Sequence, residues 1–143
     1  MTILLRDILG SKGRAVVTVS VHTKLSEVVQ TLVKHNIGSL VVCDGERMVG
    51  IVTERDILRT VAEVGVGLED VPVAQRMTPN VISGAPDDNV DKIMGVMTEN
   101  RIRHLPVLDQ GKLAGMVSIG DLVKAQHDRM TMEHQQLMNY IQS

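Results

Sequence analysis

Apolar residues recur at helical spacing twice along the chain, as Leu25, Val28, Val29, Leu32 and Val33 and again as Val90, Ile93, Met94 and Met97. Steps of three and four predict an amphipathic helix in each place, and Thr23 and Asp88 stand just ahead with short oxygen side chains suited to N-capping. Behind each helix comes a short continuous apolar run, SLVVC at 39–43 and HLPVL at 104–108. A break at Asp44-Gly45 or Asp109-Gln110-Gly111 follows, then a second run, MVGIVT or LAGMVS. Two apolar runs around Asp and Gly predict a β-hairpin. A further helix is expected from about Glu54 to Glu63, and another from Ile119 onward.

The two halves carry one pattern. Sliding the sequence by 65 positions aligns residues 16–58 with 81–123 without a gap. Identities fall at Val16/Val81, Ile37/Ile102, Leu40/Leu105, Val42/Val107, Asp44/Asp109, Gly50/Gly115, Val52/Val117 and Asp56/Asp121. Each copy reads strand, helix, strand, strand, helix, and a unit of that size buries too little apolar surface by itself. The expectation is an α+β fold in which two β-α-β-β-α repeats pack sheet to sheet about a pseudo-twofold axis. The divisions drawn on this basis are 1–65 for the first repeat with its N-terminal lead-in, 66–125 for the connection and second repeat, and 126–143 for a helical tail. The connecting stretch 64–80, with its glycines and prolines, is expected to lead into the first strand of the second copy.

Composition narrows the function more than the fold. The chain has 143 residues, a formal charge of -2, one Cys, one Tyr, and no Trp or Phe. Without a global positive field or aromatic platforms, neither nucleic acid nor an anionic membrane surface is an expected partner. Cys43 alone excludes an internal disulfide or a multi-thiolate zinc site and points to a reducing, cytoplasmic setting. It aligns with Leu108 in an apolar run, so it reads as core. The N-terminus meets Arg6 and Asp7 before an apolar stretch of signal-peptide length develops, and no later run reaches membrane-spanning length. No Gly-x-Ser-x-Gly, Walker loop or His pair at HExxH spacing occurs, so neither an enzyme nor a metal site is expected; His127 and His134 merely share a helix face.

The turn from each hairpin into its following helix carries the remaining chemistry. It reads Gly50-Ile51-Val52-Thr53-Glu54-Arg55-Asp56 in the first copy and Gly115-Met116-Val117-Ser118-Ile119-Gly120-Asp121 in the second. Free amides at a helix start favour an anion, a hydroxyl can donate to a phosphate or sugar oxygen, and a carboxylate can accept two vicinal ribose hydroxyls. Helix capping by the same Thr, Ser and Asp is the plainer reading, and the two roles are compatible.

With Arg76-Met77-Thr78, the strand entry 102–107 and the 65-residue spacing, these turns resemble the cystathionine-β-synthase (CBS) domain family, over nearly the whole chain before residue 125. The resemblance implies a tandem CBS pair of the stand-alone type that binds an adenine nucleotide, AMP, ADP or ATP, at sites joining one copy's Asp turn to the lead-in of the other. The preferred site would gather Ser118, Gly120, Asp121, Arg103, His104 and Met116 with Lys12, Gly13, Arg14, Ala15 and Val16. The second would gather Thr53, Arg55, Asp56, Gly38 and Ser39 with Thr78, Pro79, Asn80 and Val81. No cofactor is required. NAD(H) reaching toward Arg101 and Arg103, or a ligand-free dimerising adaptor for an unknown protein target, are the alternatives. Family members without an attached enzyme commonly form homodimers, and the stripe Val123, Met130, Leu137, Tyr140 and Ile141 on the tail suits either a twin or intramolecular packing.

Overall fold

The computed structural model describes residues 2–142. Its contacts divide the chain into two compact units that do not follow sequence order. One consists of residues Ala15–Ile82 with the hairpin tip Gln110–Leu113 and is called here the Asp56 unit. The other, the Asp121 unit, joins the N-terminal segment through Arg14 to Ser83–Asp109 and the chain from Ala114 onward.

In the Asp56 unit, β1 (Thr18–Ser20) runs parallel to β2 (Ser39–Asp44), and β2 pairs antiparallel with β3 (Arg47–Thr53), giving the order β1-β2-β3. Leu40, Val41 and Val42 are all fully buried, which is why β2 reads as an unbroken apolar run and not as an alternating one. The helix α2 (Leu25–His35) lays Leu25, Val28 and Leu32 on Leu40, Val42 and Val52, and α3 (Glu54–Val64) follows β3 directly. α2 ends on Asn36 in the left-handed region, φ 53°, and its amide donates back to Leu32 and Val33 carbonyls. Asn tolerates that conformation because its short polar side chain offsets part of the steric cost.

The Asp121 unit contains α1 (Leu5–Lys12), α4 (Val90–Asn100), β4 (His104–Asp109), β5 (Lys112–Ser118) and α5 (Ile119–Gln142). Gln110 and Gly111 both take positive φ, 52° and 80°, in the two-residue turn between β4 and β5. Mirror-image turns of this kind match the twist of paired strands. The core is Leu5, Ile8 and Leu9 of α1 against Val90, Ile93 and Met97 of α4, Leu105, Val107 and Val117 of the hairpin, and Leu122. α5 runs unbroken through residue 126, so the tail is a continuation of the second repeat's last helix, and every described side chain from 131 onward is exposed.

Three sequence expectations change. The first strand of the second copy shrinks to a single bridge, Gly84 with Val107, held by Gly84 N to Pro106 O at 2.9 Å and Leu108 N to Gly84 O at 2.8 Å. Pro86 lacks the N–H that would carry the ladder further. Gly84 itself has no room for a side chain, since a Cβ there would lie 2.8 Å from Leu5 Cδ1. The helix caps also fall one residue later than expected, at Lys24 and Asn89; Asn89 Oδ1 accepts from Asp91 N at 2.7 Å. The Thr23 carbonyl is taken by Val73 N, and Asp88 Oδ2 instead accepts from Ala85 N.

The third change concerns the lead-in segments. The stretch around Arg76-Met77-Thr78, expected to lead the second copy, packs in the first. Leu25 N donates to Val71 O at 2.9 Å, Val73 N to Thr23 O at 2.8 Å, and Ile51 and Thr78 exchange both backbone bonds. The N-terminal segment does the same for the second copy, with Val90 N donating to Ile3 O and Leu5 N to Asp88 O. Ile3 therefore answers Val71, Leu5 answers Val73 and Leu9 answers Met77, a displacement of 68 positions against the 65 of the repeat body. A Cβ on Gly115 would lie 2.5 Å from Leu9 Cδ2, and one on Gly50 2.6 Å from Met77 Sδ, so each hairpin glycine exists to admit the lead-in of its own unit.

Candidate functional site

Each unit places its Asp at the start of a helix in the same way. In the Asp56 unit, Thr53 N donates to Asp56 Oδ2 at 2.9 Å and Asp56 N donates to Thr53 Oγ1 at 3.3 Å. In the Asp121 unit, Ser118 N donates to Asp121 Oδ2 at 2.8 Å and Asp121 N to Ser118 Oγ at 3.1 Å. These are reciprocal capping boxes, which satisfy amides that the helix leaves unpaired. The capping role is thus present in both copies, and a carboxylate has acceptor positions beyond those the cap uses.

The surroundings of the two carboxylates differ. Lys12, the last residue of α1, donates from Nζ to Asp121 Oδ2 at 2.7 Å and to the Met116 carbonyl at 3.0 Å. Burial on its own pushes the Asp121 carboxyl up, but the hydrogen bonds from Lys12 and Ser118 and the lysine charge outweigh it and hold the group below its ordinary value. Asp56 is 8% exposed and, among the described residues, forms no ion pair. Its carboxylate accepts from Thr53 Oγ1 at 3.2 Å, and Thr78 Oγ1 lies at 3.4 and 3.5 Å from its two oxygens.

Around Asp121, the expected residues Lys12, Gly13, Arg14, Arg103, His104, Met116, Ser118 and Gly120 all fall in one unit, whereas Ala15 and Val16 fall in the other. Gly13 takes φ 98° and closes α1 with its amide on the Leu9 carbonyl, 2.8 Å away, which is what stops the helix with Lys12 beside Asp121. Arg103 takes part through its backbone, its carbonyl accepting from Ile119 N at 2.8 Å, with the residue exposed. Around Asp56, the expected Gly38, Ser39, Thr53, Arg55, Thr78, Pro79, Asn80 and Val81 lie in one unit. The Gly38 carbonyl accepts from Glu54 N and Ser39 pairs with Thr53 across the sheet.

A cavity of about 290 Å³ opens between α1 and α5, and Lys12 and Asp121 form part of its wall together with Asp7, Ser11, Lys124 and Asp128. The last four were not expected from the sequence. The signal was available in helical spacing: 7 and 11 are one turn apart on α1, as are 8 and 12, while 121, 124 and 128 share one face of α5. Cys43, half-buried at the end of β2, has its thiol pushed up by burial, in keeping with a core role. Among the described residues no three His, Cys, Asp or Glu side chains are grouped so as to hold a metal ion, and no helix is long and apolar enough to cross a membrane.

The CBS domain family model matches this chain twice, over residues 5–63 and 68–128. The chain belongs to the CBS domain family. As a tandem CBS pair it is 35% identical over 145 residues to the mitochondrial CBS domain-containing protein CBSX3 of Arabidopsis thaliana, covering 95% of this chain and 70% of that one. Among solved structures, a CBS-domain containing protein from Agrobacterium tumefaciens superposes with a TM-score of 0.84 at 42% identity, covering 87% of this chain and 99% of the other. The CBS domain pair of protein MJ0100, solved in complex with 5′-methylthioadenosine and S-adenosyl-L-methionine, superposes with a TM-score of 0.80 at 27% identity, covering 90% and 99%. CBS pairs are regulatory modules, and the two small sheets and repeated Asp turns of this chain follow that family.

Proposed function

We propose that this CBS pair is a non-catalytic sensor of an adenine nucleotide, AMP, ADP or ATP, and that it works as a homodimer. The observation that carries the reading is the Asp121 cluster, where a helix N-terminus, the Ser118 hydroxyl, a carboxylate and the Lys12 ammonium converge. Hydroxyl and carboxylate suit ribose, and amides and ammonium suit phosphate. Asp121, Ser118 and Lys12, with Arg14 and Arg103 of the same unit, are assigned to the main site. Thr53, Asp56, Ser39 and Thr78 are assigned to a second. The adenosyl ligands of the MJ0100 pair support the ligand class. Self-association is supported by Leu58 and Val123, matched positions on α3 and α5 that are 70% and 50% exposed.

Thermal unfolding with AMP, ADP, ATP, NADH, 5′-methylthioadenosine and S-adenosyl-L-methionine tests the proposal, using wild type and Asp121→Asn. A ligand at about 100 times its Kd adds roughly 2.7 kcal/mol. The expected result is stabilisation by an adenine nucleotide that shrinks in Asp121→Asn. A protein that none of these ligands stabilises is the adaptor, not the sensor.

A further inference from the structure

Asp121 and Asp56 occupy matched positions in the repeat, yet among the described residues only Asp121 is met by a cation. Lys12 Nζ lies 2.7 Å from Asp121 Oδ2 and is tied a second time to the Met116 carbonyl at 3.0 Å. In the register of the lead-in segments, set by Leu9 with Met77 and Leu5 with Val73, the residue answering Lys12 is Asn80, which is uncharged. The group nearest Asp56 from its own lead-in is the Thr78 hydroxyl. The two sites therefore present different charge to whatever enters.

We propose that Lys12 is the residue that selects ligands by charge: its ammonium is paired with Asp121 Oδ2, and a ligand whose ribose takes over that oxygen does so at little cost only by bringing an anion to receive the lysine. This rests on the nucleotide reading above and names its ligand class. A ribose diol displacing the ammonium keeps hydrogen bonds to the charged carboxylate but gives up the attraction between the two opposite charges, which are 2.7 Å apart. A phosphorylated nucleoside repairs the loss, because its phosphate becomes the new partner of Lys12. An uncharged nucleoside does not, and leaves the lysine with the Met116 carbonyl and water. The Asp56 site, with no lysine to displace, carries no such penalty and takes uncharged adenosyl compounds. The pair then reads two ligand classes, phosphorylated at Asp121 and unphosphorylated at Asp56.

Calorimetric titration with AMP and with adenosine, in an Asp56→Asn background that silences the second site, isolates the Asp121 site. There AMP is expected to bind on the order of ten- to a hundredfold more tightly than adenosine. Lys12→Met should bring the ratio close to one from both directions, weakening AMP and strengthening adenosine, and Lys12→Arg should keep AMP ahead. The rise in adenosine affinity is the decisive readout, since a simple phosphate contact predicts none. An unchanged AMP-to-adenosine ratio in Lys12→Met, or equal weakening of both ligands, overturns the inference and leaves the sensor reading in place. Failure of the Asp121 site to bind either ligand, with Lys12 present, overturns the sensor reading for that site.

Discussion

Whether α1 belongs to the second repeat, 106 residues away in sequence, is decided by one pair of side chains, Leu9 and Gly115. Leu9 is 1% exposed, and a Cβ at position 115 would stand 2.5, 3.0 and 3.3 Å from its Cδ2, Cδ1 and Cγ. Rotating the isobutyl group does not clear all three contacts, because Cγ moves little. Gly115→Ala alone should therefore cost about 1–3 kcal/mol as overpacking. Leu9→Ala alone should cost about 2–5 kcal/mol, as a buried leucine replaced by a cavity. In the double variant the new methyl enters the space the leucine vacates, so the two losses should fall short of their sum by about 1–2 kcal/mol, within the range for residues in contact. Urea denaturation of the four proteins at constant m-value measures this coupling. If the losses add to within about 0.5 kcal/mol, α1 does not lie on β5 and the exchange of lead-in segments is wrong.

Two further outcomes follow from the same geometry. The folded Asp121 carboxyl sits below its ordinary value, so its pair with Lys12 and Ser118 should contribute stability that is fully present above the unfolded pKa of about 3.9 and is lost as pH falls below it. Denaturation midpoints of wild type and Asp121→Asn should thus differ at pH 6 and converge toward pH 2; a gap constant across that range would contradict the shift. Removing residues 131–143, where every described side chain is exposed, should reduce helical circular dichroism while changing the unfolding free energy by less than about 0.5 kcal/mol, and a larger loss would show that the tail is packed in solution.

The repeat, the two amphipathic helices, both hairpins and the Thr/Ser-x-x-Asp turns were legible because each is written locally, in periodicity or in a four-residue motif. The chemistry of those turns was legible too, down to the capping role of Thr53 and Ser118. The resemblance joined each Asp turn to a lead-in, 12–16 with Asp121 and 78–81 with Asp56, but the packing of α1 and of residues 71–78 into those units was not legible. Sequence adjacency favours joining residues 5–12 to the first copy, and the three-residue difference between the lead-in register and the body register hides the match of Leu9 with Met77. The resemblance brought Lys12 and Asp121, 109 residues apart, to one site, but not the direct ion pair between them. Gly84 and Pro86 did carry a readable warning, since a proline two residues past a glycine is poor material for an inner strand. The caps at Lys24 and Asn89 were displaced because backbone bonds from the lead-ins, Val73 N and Leu5 N, engage the Thr23 and Asp88 carbonyls, a tertiary effect no local rule contains.

The exchange of lead-ins also sets the Lys12 end of α1 close in sequence to a point where the chain passes between units. The chain passes from the Asp121 unit to the Asp56 unit between Arg14 and Ala15, two residues beyond Lys12. Gly13, at φ 98°, is the one residue between Lys12 and Arg14, and its conformation is open to few side chains other than none at all. On the nucleotide reading proposed above, a ligand that draws Lys12 from Asp121 to a phosphate would change the anchoring of the α1 end beside one of the covalent crossings between units. Its leverage on any equilibrium there is limited to the difference in its affinity for the two states. With a tenfold preference for the lysine-displaced form that leverage is about 1.4 kcal/mol, enough to turn a one-to-ten population into an even one and no more. A phosphate-selective Asp121 site would thus act as a graded bias on this crossing, and its strength would be set by the same Lys12 bond that sets its selectivity.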